Sequence, residues 1–212
     1  MQSNHLVKKL RETLASAPPA RNDQPGVLLM ITGGLDSVAL LINLLEHTDC
    51  NVHAHHIDLH NFERRGDAES DALAKVLPYC WANHRPFEYT SSKYVFNIGT
   101  CGYDITLAMF TAARLHAVLP GKIDYVITGH RHPDTSLEQF TEANAVYQAA
   151  LTNCAYRPAW LKPLSGVDKE ATFNAVPCEV AQMCWSCRKP VYDGNDYQPC
   201  GECHACRSLA GL

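Results

Sequence analysis

The 212-residue chain is long enough for one well-packed domain with a small extension, and too short for two full-sized domains. Its hydrophobic and charged fractions, 46% and 19%, are those of an ordinary globular protein. The formal net charge of −4 provides no overall positive field, so stable binding to a nucleic acid is not expected. No apolar run approaches the roughly 20 residues that span a bilayer, so no membrane attachment is expected either.

The first predicted element is an amphipathic helix, in which Leu6, Leu10 and Leu14 recur every four residues. Apolar or β-rich stretches then alternate with helical patterns. Strands are predicted at 27–32, 52–58, 86–90 and 125–129, and helices at 35–46, 67–77, 104–118 and 134–151. This alternation predicts an α/β protein with a parallel sheet flanked by helices. The pattern then changes, so we expect an α/β domain over 1–157 and a separate C-terminal segment over 158–212.

The stretch MITGGLDSVALL leaves the first predicted strand through two consecutive glycines and starts a helix. Gly33 and Gly34 permit a tight turn and let backbone N–H groups approach an anion, because no Cβ intervenes. The first N–H groups of the helix, and the hydroxyls of Thr32 and Ser37, favour a bound phosphate. Asp36 is a candidate ligand for Mg²⁺ that neutralises the phosphate. A plain glycine turn with an aspartate helix cap is the structural alternative.

This stretch matches neither the G-x-x-x-x-G-K-[ST] loop nor the G-x-G-x-x-G loop. It resembles the S-G-G-x-D-S pyrophosphate loop of the PP-loop ATP pyrophosphatase superfamily, with Thr32 in place of the first serine. The resemblance implies an adenine nucleotide α-hydrolase-like fold that cleaves ATP between its α- and β-phosphates and adenylates an acceptor. The ATP-binding residues that it implies are Ile31, Thr32, Gly33, Gly34, Leu35, Asp36, Ser37 and Gly129.

Five of the 10 cysteines are crowded near the end of the sequence. Cys200, Cys203 and Cys206 form a Cys-x2-Cys-x2-Cys run, and a fourth thiolate would complete the tetrahedral site that structural Zn²⁺ occupies. Two upstream cysteines, Cys184 and Cys187, are candidates for this fourth ligand. An iron–sulfur cluster is the chemical rival, although the ferredoxin run has a further cysteine followed by proline. Since no secretion signal is recognised, the thiols are expected in a reducing cytoplasm.

The tail CWSCRKPVYDGNDYQPCGECHACRSL resembles the zinc-binding end of the 7-cyano-7-deazaguanine synthase family, whose pattern is S-C-Y, a spacer and C-G-x-C-x-x-C. The resemblance implies Cys187 as the fourth zinc ligand, with Cys184 as the alternative, and Arg188 replaces the tyrosine. The resemblance implies that ATP and Mg²⁺ activate the carboxylate of a 7-deazaguanine acid as an acyl adenylate. Ammonia then displaces AMP to give an amide, and a second activation dehydrates the amide to the nitrile. Family members tend to pair, which is compatible with a homodimer.

Weaker matches to the family connect the loop and the tail. The family's R-H-x-x-E segment is matched by RRGDAESDALAKVL. Its strand end followed by an acid is matched by ITGHRHPD, and its proline loop followed by lysine is matched by KPLSGVDKEATF. Asp134 would lie near the metal or the reacting carboxylate, so it and Asp36 are the implied catalytic residues. The other matched positions are Arg65, Glu69, Gly129, Pro163 and Lys169.

The chain also departs from the family, because its G-Y-P-D-C-R segment and its R-N pair are missing. The resemblance therefore carries over ATP chemistry and zinc, but not substrate recognition. Three alternatives stay open: a relative that stops at the amide or uses another amine, a tRNA-modifying enzyme with the same loop, and a catalytically inactive zinc module. Cys101, Tyr103 and Asp104 are candidates for a different substrate pocket, and an ordinary helix start explains them equally well.

The histidines divide into two groups by their position relative to the predicted strands. Those along the second strand and its exit are interpreted as packing or solvated residues; they are His53, His55, His56 and His60. His130 and His132 follow the carboxyl end of a strand, where a proton carrier or a phosphate donor is useful.

Overall fold

A computed structural model describes residues 5–61, 63, 65–96, 104–119, 121–132, 134–194 and 196–210. The helices are α1 (His5–Ala15), α2 (Leu35–His47), α3 (Arg65–Asn83), α4 (Asp104–Val118), α5 (Leu137–Ala150), α6 (Lys169–Phe173), α7 (Cys178–Met183) and α8 (His204–Leu209). The strands are β1 (Gly26–Ile31), β2 (Asn51–His60), β3 (Glu88–Val95), β4 (Tyr125–Thr128), β5 (Ala159–Leu161), β6 (Val191–Tyr192) and β7 (Tyr197–Gln198). None of the helices in this described part combines the length and apolar character needed to cross a bilayer.

Five parallel strands form one sheet in the order β3-β2-β1-β4-β5, and β6 and β7 form a small antiparallel ribbon in the tail. Strand β1 lies between β2 and β4, with Val27 in register with Val52 on one side and Tyr125 on the other. The strand order reverses at β1, and ligands of open α/β sheets bind beyond the carboxyl ends of strands at such a point. The predicted parallel sheet flanked by helices is confirmed.

Strand β1 is buried along its whole length and contributes to two cores, one on each face of the sheet. Val27, Leu29 and Ile31 pack in a core with α1, α2 and α3. Leu28 and Met30 pack in the other core with α4 and α5. Alternate side chains of a strand point to opposite faces, so a continuous apolar run is expected for a strand covered on both sides. These two cores hold the carboxyl end of β1 in a fixed position.

Several elements differ in extent from the sequence prediction. Helix α3 continues past Pro78, because Leu77 and Cys80 on either side of it are buried and their packing offsets the lost hydrogen bond. Strand β3 extends to Val95, where its polar residues pair with the long strand β2. The short strand β5 was not predicted, since three residues give too little periodicity.

The predicted division between 1–157 and 158–212 stays a prediction. Strand β5 begins immediately after it at Ala159 and is hydrogen-bonded to β4 within the main sheet. Farther along the chain, α7 packs against α3, and Val180 belongs to the core on the α1–α3 face of the sheet. The C-terminal segment is therefore attached to the sheet and its helices by both hydrogen bonds and apolar packing.

Candidate functional site

A cavity of about 600 Å³ lies at the carboxyl ends of β1 and β4, where the strand order reverses. Its wall is formed by the β1–α2 turn, the β4–α5 connection, the start of α6 and parts of the C-terminal tail. Apolar and charged side chains both contribute to it, including Met30, His55, Arg65 and Arg188. A cavity of this volume is large enough for a nucleotide or another small organic molecule.

The β1–α2 turn depends on Gly33. Its φ of 75° lies in the left-handed region, and a Cβ atom at this position would stand 2.4 Å from the carbonyl oxygen of Glu69. Both features require glycine. The following Gly34 is the N-cap of α2, so the N–H groups of Leu35, Asp36 and Ser37 form its first turn beside the cavity. The first N–H groups of a helix have no intrahelical acceptor and attract anions.

The hydroxyl groups predicted to contact phosphate also brace the turn. Ser37 Oγ donates to the carbonyl oxygen of Gly34 over 3.0 Å and accepts from the N–H of Thr32 over 3.2 Å. The N–H of Gly34 approaches Thr32 Oγ1 at 3.4 Å. These contacts fix the shape of the turn, and phosphate binding by the two hydroxyls stays a prediction.

Gly129 brings the end of β4 against the first turn of α2. A Cβ atom there would lie 3.1 Å from the nitrogen of Ser37 and 3.4 Å from the Cβ of Asp36. A larger residue would therefore push the two elements apart. The fold thus places Gly129 beside the glycine turn, and its predicted contact with ATP stays a prediction.

Asp36 accepts hydrogen bonds from two cations. Arg131 donates through Nη2 to Oδ1, and Lys169 donates through Nζ to Oδ2 over 2.5 Å. A divalent ion at this carboxylate would have to displace at least one of them. Lys169 is among the positions that the sequence resemblance matched, without a predicted contact to Asp36, and Arg131 was missed. The only local signal for Arg131 is a cation three residues beyond the end of the buried strand β4.

Asp134 lies on the other side of Arg131. Its Oδ2 is 3.9 Å from Arg131 Nε, and its Oδ1 is 3.7 Å from His204 Nδ1 in the tail. Asp134 and Asp36 line the same cavity, so the structure brings the two implied catalytic acids together around one guanidinium group. The longer contacts leave the carboxylate of Asp134 less firmly engaged than that of Asp36.

The opposite wall of the cavity contains a second set of charges. Arg65 forms ion pairs with Asp104 and, over 3.8 Å, with Glu69. Burial raises the pKa of Glu69, while the charges of Arg65 and Arg188 act in the opposite direction. Asp104 lines the cavity, whereas Cys101 and Tyr103, its partners in the sequence prediction, lie outside the described residues.

The histidines differ in their surroundings. On β2, Thr90 Oγ1 contacts both His53 Nε2 at 2.6 Å and His55 Nδ1 at 2.7 Å. His56 contacts the carbonyl oxygen of Ile31, and His60 contacts Asp58, so all four histidines of this strand have polar partners. On the cavity wall, burial, followed by the charges of Arg188 and Arg65, lowers the pKa of His130 to about 4. Its imidazole is therefore neutral at neutral pH.

The fourth candidate zinc ligand is Cys187. Its sulfur lies 3.6 Å from that of Cys200, and Cys206 is 4.0 Å from Cys200 and 3.5 Å from Cys203. Bonds of about 2.3 Å to one tetrahedral ion place sulfurs about 3.8 Å apart. Cys184 is directed elsewhere, because its thiol donates to the carbonyl oxygen of Val180 and burial raises its pKa to about 12.

Backbone amides surround the sulfurs of this four-cysteine site, formed by Cys187, Cys200, Cys203 and Cys206. The N–H groups of Lys189 and Cys200 each donate to Cys187 Sγ over 3.3 Å. Burial alone would raise the pKa of Cys203, but N–H groups of Arg188 and Cys206 lower it to about 6. Such donors favour thiolates, which are the form that binds metal. The arrangement fits a single ion held by four sulfurs.

The segment before the four-cysteine site contacts the glycine turn directly. The backbone N–H of Trp185 donates to the carbonyl oxygen of Gly33 over 2.9 Å, and its indole N–H donates to the carbonyl oxygen of Cys187 over 2.9 Å. Arg188 and His204, which follow Cys187 and Cys203 of this site in the sequence, line the cavity. One tryptophan thus links the cysteine-rich tail to the turn.

No protein-family model matches this sequence, and no curated protein matches it. The structure is similar to that of U34-tRNA thiolase NcsA from Methanococcus maripaludis with its 4Fe-4S cluster, with a TM-score of 0.56, 18% identity, and coverage of 96% of this chain and 68% of that one. It is also matched to the NH3-dependent NAD synthetase from Campylobacter jejuni in complex with nitrate, with a TM-score of 0.39, 16% identity, and coverage of 80% and 68%. At these identities the first likeness shows a shared fold alone, and the second carries no argument.

Proposed function

We propose that this chain is an ATP-dependent enzyme of the PP-loop class that adenylates the carboxylate of a 7-deazaguanine acid and transfers ammonia to it. One observation carries the proposal. The glycine turn, Gly129 and the cations that surround Asp36 meet in one cavity at the point where the strand order reverses. Free helix N–H groups and cations at such a point suit the phosphates of a nucleotide.

In the proposed reaction, a carboxylate oxygen attacks the α-phosphorus of ATP, the bond to the β-phosphate breaks and pyrophosphate leaves. Ammonia then attacks the acyl carbon, AMP leaves and a proton is released, which gives the amide. A second adenylation, now of the amide oxygen, releases another pyrophosphate, and loss of AMP and of the two protons on nitrogen would give the nitrile. The N–H groups of the first turn of α2, with Lys169, stabilise the charge that grows on pyrophosphate.

Mg²⁺ would be held by Asp36 and Asp134 and, when bound, would neutralise phosphate charge. Asp36 would bind the ion in exchange for one of the two cations with which it is paired in this structure. Asp134, with contacts of 3.7 and 3.9 Å, is the more readily available of the two carboxylates.

The carboxylate of the second substrate needs a cation, and we assign this role to Arg188. It lines the cavity at a position where the family that the tail resembles has tyrosine. Glu69 and Asp104 on the same wall offer acceptors for the N–H groups of a guanine-like ring. The cavity therefore has complementary groups for both ends of a deazaguanine acid.

For the four-cysteine site we propose Zn²⁺ in a structural role. Four sulfurs leave no open coordination position, and their spacing of 3.5–4.0 Å suits one ion. In an iron–sulfur cubane each thiolate binds a different iron, so the sulfurs stand farther apart than around a single ion.

A tRNA-modifying enzyme is the second candidate, because the solved structure of NcsA, which shares the fold, is that of a U34-tRNA thiolase. The net charge of −4 is unfavourable for binding the tRNA backbone. The close sulfur spacing suits zinc rather than a 4Fe-4S cluster such as that of NcsA, so both features favour the small-molecule enzyme. Band-shift assays with tRNA over a range of salt concentrations distinguish the two. Tight binding that weakens steeply with salt would support the second candidate.

The direct test uses purified, zinc-loaded protein with ATP, Mg²⁺, ammonia and 7-carboxy-7-deazaguanine. We expect pyrophosphate exchange that depends on the acid, and mass spectrometry should detect AMP with the amide or the nitrile. The identity of the product separates a relative that stops at the amide from one that continues to the nitrile. Binding of ATP without acid-dependent exchange would refute the substrate, and absence of ATP binding by calorimetry would refute the enzyme class.

A further inference from the structure

Arg131 is the most deeply buried cation of the cavity, with 4% of its side chain exposed. Its Nη1 donates to the carbonyl oxygen of Val167 over 2.9 Å, and its Nη2 donates to Thr172 Oγ1 over 3.0 Å as well as to Asp36 Oδ1. The guanidinium is thus fixed by three different residues. A planar group held in this way has little freedom to follow a ligand.

Lys169 contacts the other oxygen of the same carboxylate but is held much less firmly. Its ammonium is 2.5 Å from Asp36 Oδ2, and 17% of its side chain is exposed. Within the described part of the chain, Asp36 is the only hydrogen-bonding partner of this ammonium. Its flexible stem and its place on the cavity wall allow it to move toward a bound anion.

We infer that Arg131 is a positioning residue that neutralises Asp36 and thereby makes the charge of Lys169 available to the nucleotide phosphates. The inference rests on the proposed binding of ATP. With Arg131 present, Asp36 keeps a fixed counter-ion when Lys169 moves. Without it, Lys169 would be the one counter-ion left to this largely buried carboxylate among the described residues, and its departure would leave that charge unpaired.

This role differs from direct contact between Arg131 and the phosphates, and a double-mutant cycle separates the two. If Arg131 acts by neutralising Asp36, its charge is dispensable once Asp36 is replaced by a neutral residue. If Arg131 binds phosphate itself, its loss weakens nucleotide binding by the same factor whether or not Asp36 is charged.

The experiment measures the dissociation constant of ATP by calorimetry, with zinc-loaded protein and no added Mg²⁺, for the variants of the cycle. We expect Arg131→Met to weaken binding at least tenfold and Arg131→Lys, which keeps the charge, to weaken it less than threefold. Asp36→Asn and the double variant Asp36→Asn/Arg131→Met should bind ATP with equal affinity, within a factor of two. Equal losses from Arg131→Met in both backgrounds would overturn the inference.

Two controls keep the result interpretable. Arg85→Met removes another engaged arginine, which donates to the carbonyl oxygens of Leu45, Thr48 and Cys50 away from the cavity, and it should lower stability without changing ATP affinity. If Arg131→Met does not yield folded protein, the comparison of Asp36→Asn with the double variant decides, and a tenfold loss in the double variant refutes the role. Failure of the wild-type protein to bind ATP would instead refute the proposed function.

Discussion

The carbonyl oxygen of Gly33 accepts a hydrogen bond from the backbone N–H of Trp185 over 2.9 Å, although the two residues are far apart in the sequence. The carbonyl oxygen of Trp185 also lies next to the turn, since a Cβ atom on Gly34 would stand 3.2 Å from it. The segment that leads into the four-cysteine site is therefore one wall of the glycine turn. Disorder in the tail would release the turn from this side.

Removal of the proposed Zn²⁺ is expected to weaken ATP binding. Treatment of the protein with a strong chelator, or the substitution Cys206→Ser, frees the tail and the hydrogen bond from Trp185 to Gly33. We expect the dissociation constant of ATP, measured by calorimetry, to rise at least tenfold and the melting temperature to fall. The matched control is Cys178→Ser, an exposed cysteine outside the four-cysteine site. Unchanged ATP affinity in protein shown to be metal-free would contradict the coupling.

Gly33→Ala should abolish measurable ATP binding and destabilise the fold. Its positive φ costs roughly 1–3 kcal/mol for a residue with a side chain, and the new methyl group would meet the carbonyl oxygen of Glu69 at 2.4 Å. Gly121→Ala is the control, since Gly121 has a φ of 80° with nothing within 4 Å of the added Cβ. Urea unfolding and calorimetry of both variants separate backbone strain from the clash. Equal effects of the two substitutions would show that the clash is relieved.

The sequence predicted those features that depend on residues close together in the chain. The strand–glycine–helix pattern around Gly33 is continuous in sequence, and the two-residue spacing between Cys200, Cys203 and Cys206 fixes where their sulfurs can meet. The fold class followed from the alternation of strands and helices. Each of these predictions uses local geometry that tertiary contacts do not have to supply.

The features that the sequence did not predict depend on contacts between distant segments. Arg131 and Asp36 are 95 positions apart, and only the order of β1 and β4 in the sheet brings them together. Cys184 and Cys187 are both near enough in sequence to serve as the fourth ligand. The choice depends on α7, which ends at Met183 and turns the thiol of Cys184 back to the carbonyl oxygen of Val180.

Acid should destabilise the protein through the imidazole of His55. Burial, with smaller contributions from His53 and His56, lowers its pKa from 6.5 to about 4. The unfolded chain therefore binds the proton more tightly, so stability is complete above pH 6.5 and is lost progressively as the pH falls to about 4. The expected loss from this group is roughly 3 kcal/mol.

Urea unfolding between pH 7 and pH 4 tests this dependence. His55→Asn keeps a polar atom near Thr90 but removes the ionisable ring, so its free energy of unfolding should fall less steeply with acid than that of the wild type. The exposed residue His5 on α1 provides the control substitution His5→Asn. A parallel decline in the wild type and His55→Asn would assign the acid sensitivity to other groups.

Arg188→Met should impair use of the acid substrate without impairing ATP binding. Arg188 lines the cavity, and the proposed reaction needs a cation for the carboxylate, whereas the glycine turn and Lys169 are proposed to bind the phosphates. We expect KM for 7-carboxy-7-deazaguanine to rise at least tenfold in an acid-dependent pyrophosphate exchange assay, while the dissociation constant of ATP stays within threefold of the wild type. Lys189→Met removes a neighbouring exposed cation and should change neither quantity. A rise in the ATP dissociation constant with unchanged KM for the acid would move Arg188 to the nucleotide side of the cavity.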